Sequence, residues 1–404
     1  MRRKRFSFLV RQSLTVVAVA AVLISTGWAK PKFKILRGVP GGLFGGLTFD
    51  AKGNLYGVTG GGGDHNDGTI FQLKPGAHGW ILTTLHSFDG YDGGSPNGGL
   101  IFDSVGNVYG TSPAGGIYGG GNVFEMTPGS GGWTFEVLYD FCLQYHCPDG
   151  GGPKAGLIIG DGGNLYGTTA GGGSSGEGVV FELTSGPEWW HERVLYNFDG
   201  NKGGIQPYAP LSFDPARRNL FGTTVAGGAY ESGTVFKLTR ASSDGWRERL
   251  LHSFHGYDGQ GPRDGVIFDR SRNLYGTTRG GGAVCGGEFC GTIFKLARSP
   301  AGGWKETVLY GFLQPANGFY PSSGVVFDNA GNLYGTTAHG GIGICDNGCG
   351  VAYKMSPGAN GKWKYTVLHK FSGTSGGLPP GDLALDRKGN LYGTAYNVVY
   401  EIIP

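Results

Sequence analysis

The chain has 404 residues, 83 of them glycine, with 39% hydrophobic and 16% charged residues and a formal net charge of +3. So much glycine without a Gly-X-Y triplet means many tight turns, and the composition fits neither a disordered tail nor a helical protein rich in Ala, Glu and Lys. So slight a charge, with no basic run after the N-terminus and no stripe of basic and aromatic residues, gives nucleic acid no footing.

Residues 1–29 open with Arg2, Arg3, Lys4 and Arg5, continue through an apolar stretch from Leu14 to Ile24, and end in small residues around Trp28. This pattern predicts a secretory signal peptide, its apolar core too short for a comfortable membrane span. Nothing after residue 30 is apolar enough, for long enough, to cross a bilayer. The mature chain is therefore expected in the periplasm or outside the cell, as a monomer whose residues 30–404 form one domain.

That domain is organised around Asn164-Leu165-Tyr166-Gly167-Thr168-Thr169, because nearly the same words return at Asn54, Asn107, Asn219, Asn273, Asn332 and Asn390. Spacings of 53 to 59 residues signal stacked supersecondary units. Each unit carries four short runs rich in Val, Ile, Leu, Tyr, Phe and Thr, bounded by Gly, Pro, Asp or Ser, which read as strands a, b, c and d. Asp-x-x-Gly-Asn joins a to b, as from Asp103 to Asn107, and describes a hairpin in which the Asp bonds its own turn. The Gly inside strand b implies a ring packed over the backbone there. Strand d offers the expected occupants, since Trp80, Trp133, Trp190, Trp246, Trp304 and Trp363 begin it and a Phe ends it.

Units of four strands repeated around an axis predict an all-β fold, a seven-bladed β-propeller. The last unit stops after its strand c, whereas residues 33–37 read as a strand d with no unit of its own. The N-terminal strand is thus expected to complete the last blade and close the ring.

With Asn219-Leu220-Phe221-Gly222-Thr223-Thr224 followed by Gly233-Thr234-Val235-Phe236-Lys237-Leu238, the chain closely resembles the bacterial GloVer tandem-repeat family across all seven units. The resemblance implies an exported bacterial repeat protein, of a kind often found with cell-surface sorting tails. It implies no catalytic residue, ligand or cofactor.

In a propeller the b-to-c and d-to-a loops share one face, and this sequence varies most there. Candidate binding residues on it are Asp64, His65, Tyr118, Tyr230 and His339 in b-to-c loops, and Tyr91, Asp92, His146, Tyr257, Asp258 and Tyr320 in d-to-a loops. The close pairs Cys142 with Cys147, Cys285 with Cys290 and Cys345 with Cys349 read as disulfides that hold loop shape, since their spacing does not suit zinc. Asp-Gly-Tyr-Asp-Gly at 89–93 lacks the acids and closing Glu of a calcium loop. His86, His252 and His369 share a slot with Tyr139, Tyr196 and Tyr310 and read as aromatic packers.

Strand a should line the axial channel. Its bodies hold no carboxylate, His or Lys, and Lys154, Asp264 and Asp382 occur only just before it, so the channel is expected to be inert. The preferred expectation is a non-enzymatic protein, without metal or cofactor, that binds a saccharide or protein through the loop face. The alternative is a glycan-active hydrolase or lyase using loop carboxylates and His, for which Asp92 and Asp258 would have to come together.

Overall fold

The computed structural model describes residues 30–404 except 44, 201–202, 242–244, 283, 286–287, 301, 314, 346, 374–376, 378 and 380. The signal-peptide expectation for 1–29 lies outside the described residues. Residues 31–404 form one compact unit.

Among the described residues, seven antiparallel sheets carry four strands each in the order a-b-c-d, the sixth with one strand more. The third is representative, with Ile158–Ile159, Leu165–Thr169, Val179–Ser185 and Trp190–Asn197. In the last sheet Ala384–Leu385, Leu391–Ala395 and Val398–Ile403 are completed by the N-terminal strand Lys32–Gly38, which runs antiparallel to Val398–Ile403 from Lys32↔Ile403 to Gly38↔Val398. Closure is as the sequence predicts. The protein is a seven-bladed β-propeller.

Each residue of the repeated hexapeptide has a physical task. In the first blade Asn54 donates from Nδ2 to Asp50 Oδ2 at 2.7 Å, while Asp50 Oδ1 accepts the Asn54 N–H at 2.9 Å and Gly53 turns the chain at φ +84°. The turn acid is thereby used within its own hairpin. The third blade has Gly160 instead, and there Asn164 Nδ2 and Tyr166 OH both donate to Glu182 Oε1, at 2.9 and 2.6 Å. The residue after the Asn, Leu or Val, is buried in every blade.

The first Thr staples neighbouring blades: Thr168 Oγ1 donates to Ala209 O at 3.1 Å and Thr223 Oγ1 to Asp264 O at 2.9 Å, each acceptor lying in the next blade. Thr394 does the same across the closure, to Gly45 O at 3.3 Å.

The glycine of the hexapeptide does admit a ring, but from another strand than expected. Gly167 lies directly opposite Phe181 of strand c, and a Cβ on Gly167 would stand 2.5 Å from the Phe181 ring. Strand c crosses strand b in register, so its aromatic reaches the glycine without leaving the sheet, whereas strand d is one strand further out. The strand-d aromatics act between blades instead. Trp133 meets Tyr56 of the preceding blade edge-on at 5.7 Å, and Trp80 meets Tyr392 across the closure at 6.4 Å.

The hydrophobic core is accordingly divided among the blade interfaces. One cluster joins Tyr109, Val123, Leu138 and Phe141 of the second blade to Leu157, Leu165, Val179, Phe181 and Leu183 of the third. Similar clusters lie between the other neighbours, including the last blade with the first. No helix among the described residues is long and apolar enough to cross a membrane.

Candidate functional site

The long loops do not gather their candidate residues into one constellation. Asp92 accepts the Asp89 N–H at 2.9 Å and holds His86 Nε2 at 2.7 Å; Asp258 accepts the His255 N–H at 2.9 Å and holds His252 Nε2 at 2.8 Å. Tyr139 donates to Asp149 at 3.0 Å in the corresponding place. These acids latch the end of strand d to its own loop. The reading of His86 and His252 as packers is therefore incomplete, because His86 stacks on Phe135 at 3.7 Å and also bonds Asp92.

Two small clusters do form. Tyr230 and Tyr257 flank His255, with ring centroids at 5.8 and 6.3 Å from it. In the sixth blade the extra strand Phe319–Pro321 pairs with Leu333–His339, which sets Tyr320 5.5 Å from His339 and beneath Arg279 at 5.6 Å. Tyr91 and Tyr118 are exposed on separate loops. Asp64 and His65 are exposed too, with the Asp64 N–H on Ser87 Oγ at 2.7 Å, and His146 turns at φ +69° against Tyr145. Cys142–Cys147 and Cys345–Cys349 are disulfides as expected. For the third pair, the side chain of Cys285 lies outside the described residues.

The axial channel corrects the expectation of an inert lumen. Just before strand a, residues from all seven blades enclose a cavity of about 430 Å³. Its depth follows from three successive sequence positions ahead of the buried residue, such as Leu157, that immediately precedes strand a. The nearest position is Gly in five blades, Pro210 in the fourth and Asp382 in the seventh; the next is small except for Asp264; the outermost carries Asn97, Lys154, Tyr208, Arg263 and Ser322. A glycine throat thus leads from a polar rim to a floor that holds two acids.

Those acids meet over one backbone amide. The Gly324 N–H donates to Asp264 Oδ2 at 2.6 Å and to Asp382 Oδ1 at 2.9 Å, and the Gly265 N–H donates to Asp264 Oδ1 at 2.6 Å. The two carboxyls also hydrogen-bond each other, and burial followed by the charge of Asp264 pushes Asp382 well above the usual carboxylate range. Gly324 cannot be larger without a shift, since a Cβ there would stand 3.0 Å from the Asp264 carboxyl. Asp382 lines the cavity and is half-buried.

On the rim, Lys154 Nζ sits 4.3 Å over the Tyr208 ring. Burial, with Arg279 nearby, lowers the Arg263 pKa. Asn97 Oδ1 is out of contact with water and has no hydrogen-bond partner among the described residues. Sequence reasoning noted Lys154, Asp264 and Asp382 but not their convergence, because the ring brings residues 118 positions apart onto one amide. One signal was available. The strand-c aromatic is Phe in five blades but Tyr353 and Tyr400 in the last two, and the buried Tyr353 hydroxyl feels the charge of Asp382.

Fold and site together define a seven-bladed propeller with two acids held on one backbone amide in a mixed-charge axial pocket. Within that class, the chain belongs to the Gloeobacter/Verrucomicrobia repeat family, whose model matches residues 36–212 and 190–400. A comparison with curated proteins finds none that matches.

Among solved structures, the chain is similar to a candidate 6-phosphogluconolactonase from Bacteroides uniformis, at 12% identity and TM-score 0.54, over 88% of both chains. It is also similar to a luciferin-regenerating enzyme at 15% identity and TM-score 0.46, over 93% of this chain and 95% of that one. A candidate oxidoreductase (glucose dehydrogenase) from Thermus thermophilus matches at 17% identity and TM-score 0.44, over 76% of this chain and 94% of that one. At such identities the likeness speaks to the fold alone.

Proposed function

We propose that this is an exported, non-enzymatic propeller that binds a saccharide at the mouth of its axial channel, on the face that carries the long loops. The observation that carries the reading is the pocket itself: a recessed cavity of about 430 Å³ whose wall and floor present an amide, a phenol, two cations and a carboxyl pair. A pocket of that size with few convergent polar groups suits a small ligand. Carboxyl oxygens accept hydrogen bonds from sugar hydroxyls. Exposed Tyr91, Tyr118, Tyr230 and Tyr257 around the same face offer stacking surfaces for a longer chain.

Two disulfides among the described residues fit an oxidising compartment, which supports export. The acid pair also bears on the enzymatic alternative. Glycoside hydrolysis places its carboxyls about 5 Å or more apart, whereas these two are close enough to bond each other. They are arranged to hold hydroxyls rather than to flank a glycosidic bond.

The reading is tested by glycan-array binding of the purified protein, with Asp382→Asn alongside and a polysaccharide and ester panel for turnover. A specific hit that Asp382→Asn weakens supports it. Binding indifferent to that change, or sustained turnover, sinks it.

A further inference from the structure

We propose that the axial pocket selects a saccharide unit bearing one anionic group, with the anion on Lys154 and Arg263 at the rim and its hydroxyls on the Asp264 and Asp382 carboxyls beneath. This rests on the saccharide reading above and adds the charge of the ligand.

The argument begins with how the charges are used. Two cations and two acids face one cavity, yet among the described residues neither Lys154 nor Arg263 makes an ion pair. The acids are held deeper, by the Gly324 and Gly265 N–H groups and by each other. Backbone amides thus do for the acids what the cations would otherwise do. The cations remain for something that enters the pocket.

The cations stand at the rim and the acids lie below them against backbone N–H groups, so a ligand entering the pocket meets positive charge first. Such a field attracts an anion. A wholly anionic ligand would meet repulsion at the floor, so the ligand must be neutral and hydroxyl-bearing at one end and charged at the other. Tyr208 offers its ring beside Lys154, with the ammonium 4.3 Å from its centroid.

Other occupants fit less well. A metal ion would need several oxygen or nitrogen ligands, and no group of three or more His, Cys, Asp or Glu that could hold one occurs among the described residues.

The test uses the purified full chain on matched neutral, uronate and 6-sulfate forms of glucosides, galactosides and mannosides, read by calorimetry. At least one anionic form is expected to bind about 10- to 100-fold more tightly than its neutral counterpart, as loss of a charged hydrogen bond implies. Preference for uronate identifies a carboxylate, and preference for sulfate a sulfate ester. Lys154→Met with Arg263→Met should erase the preference, bringing the affinities of the anionic and neutral forms together. Asp382→Asn, which can keep its acceptor on the Gly324 N–H, should weaken every form; unchanged melting temperatures confirm that each variant folds. Equal binding of neutral and anionic forms, or a preference that survives loss of both cations, overturns the inference but leaves the saccharide reading. Binding of none of the forms overturns both.

Discussion

Replacing Glu192 and Glu306 by glutamine is expected to remove much of a loss of stability that the wild-type protein undergoes as pH rises from about 4.5 to about 8. The position two residues after the strand-d Trp faces the preceding blade. There Phe135 stacks on His86 at 3.7 Å, Tyr365 on Tyr310 at 4.1 Å and Phe33 on His369 at 3.8 Å. The third, fourth and fifth blades place Glu192, Glu248 and Glu306 in that slot, each with a buried Oε1 that lacks a partner. Burial, and then the charge of Asp149 or Asp258, raises Glu192 and Glu306 from 4.5 to about 8. Glu248 shifts the same way beside Asp199.

A carboxyl whose pKa is higher in the folded chain holds a proton that the unfolded chain has released. Stability therefore falls as pH rises from the unfolded value to the folded one. Taken at face value each shift is worth about 5 kcal/mol. Each side chain keeps part of its surface in water, and the screening this brings leaves about 1–2 kcal/mol per glutamate. Glutamine is neutral at every pH and can donate to the facing Asp149 or Asp258. Thermal unfolding of wild type and of Glu192→Gln/Glu306→Gln, followed from about pH 5 to 9, should show curves that nearly coincide at the acid end and a double variant that melts several degrees higher at about pH 8. A wild-type melting temperature that is flat or rising over the upper half of that range, or a double variant with the wild-type slope, would refute the reasoning.

The acid side carries the opposite slope. Burial against Phe33 lowers His369 from 6.5 to about 4, so the fold resists its protonation and loses stability as pH drops through that interval. His369→Phe should keep the stack and flatten that limb of the melting profile. Gly167→Ala should cost about 1–3 kcal/mol by overpacking against Phe181, as read by thermal unfolding, and Gly167→Ala/Phe181→Leu should recover part of it. Phe33→Ala, which removes the ring that seals the last blade, should cost about 3 kcal/mol and speed amide exchange selectively in Val398–Ile403.

Where a residue's partner lies in its own hairpin, the sequence was readable. Asp50, Gly53 and Asn54 form the expected turn because every contact falls within five positions. The closing strand was readable for a different reason: a missing strand d at one end and a spare strand at the other leave one arrangement that pairs Val398–Ile403. The ring over Gly167 was misassigned because strands c and d are both rich in aromatics. Only the in-register crossing of Gly167 with Phe181 decides between them. The Thr168 staple was unreadable, since its acceptor is a carbonyl in the next blade and any side chain could stand there.

The axial pocket was hidden by an assumption about which residues face the lumen. Strand bodies such as Val266-Ile267-Phe268 are apolar, and the inference from them to an inert channel treated the channel as ending where the strands end. The lumen continues past them through the three preceding residues of each unit, and their backbones converge on the axis. A ring of repeats turns one sequence position into seven neighbours around a hole. Chemistry then appears wherever two units depart from the common residue at adjacent depths. Asp264 and Asp382 are such departures, from small residues in the other blades, and Gly324 of the blade between them is the residue that has not departed. Its bare N–H is free to hold both acids only because it kept the glycine. Gly324→Ala is thus a sharper probe of the site than removal of either acid. It leaves every charge in place, yet its methyl would stand 3.0 Å from the Asp264 carboxyl and press the two acids apart. Saccharide binding should fall with it while the melting temperature changes little. Unaltered binding would mean that the acid pair does not hold the ligand.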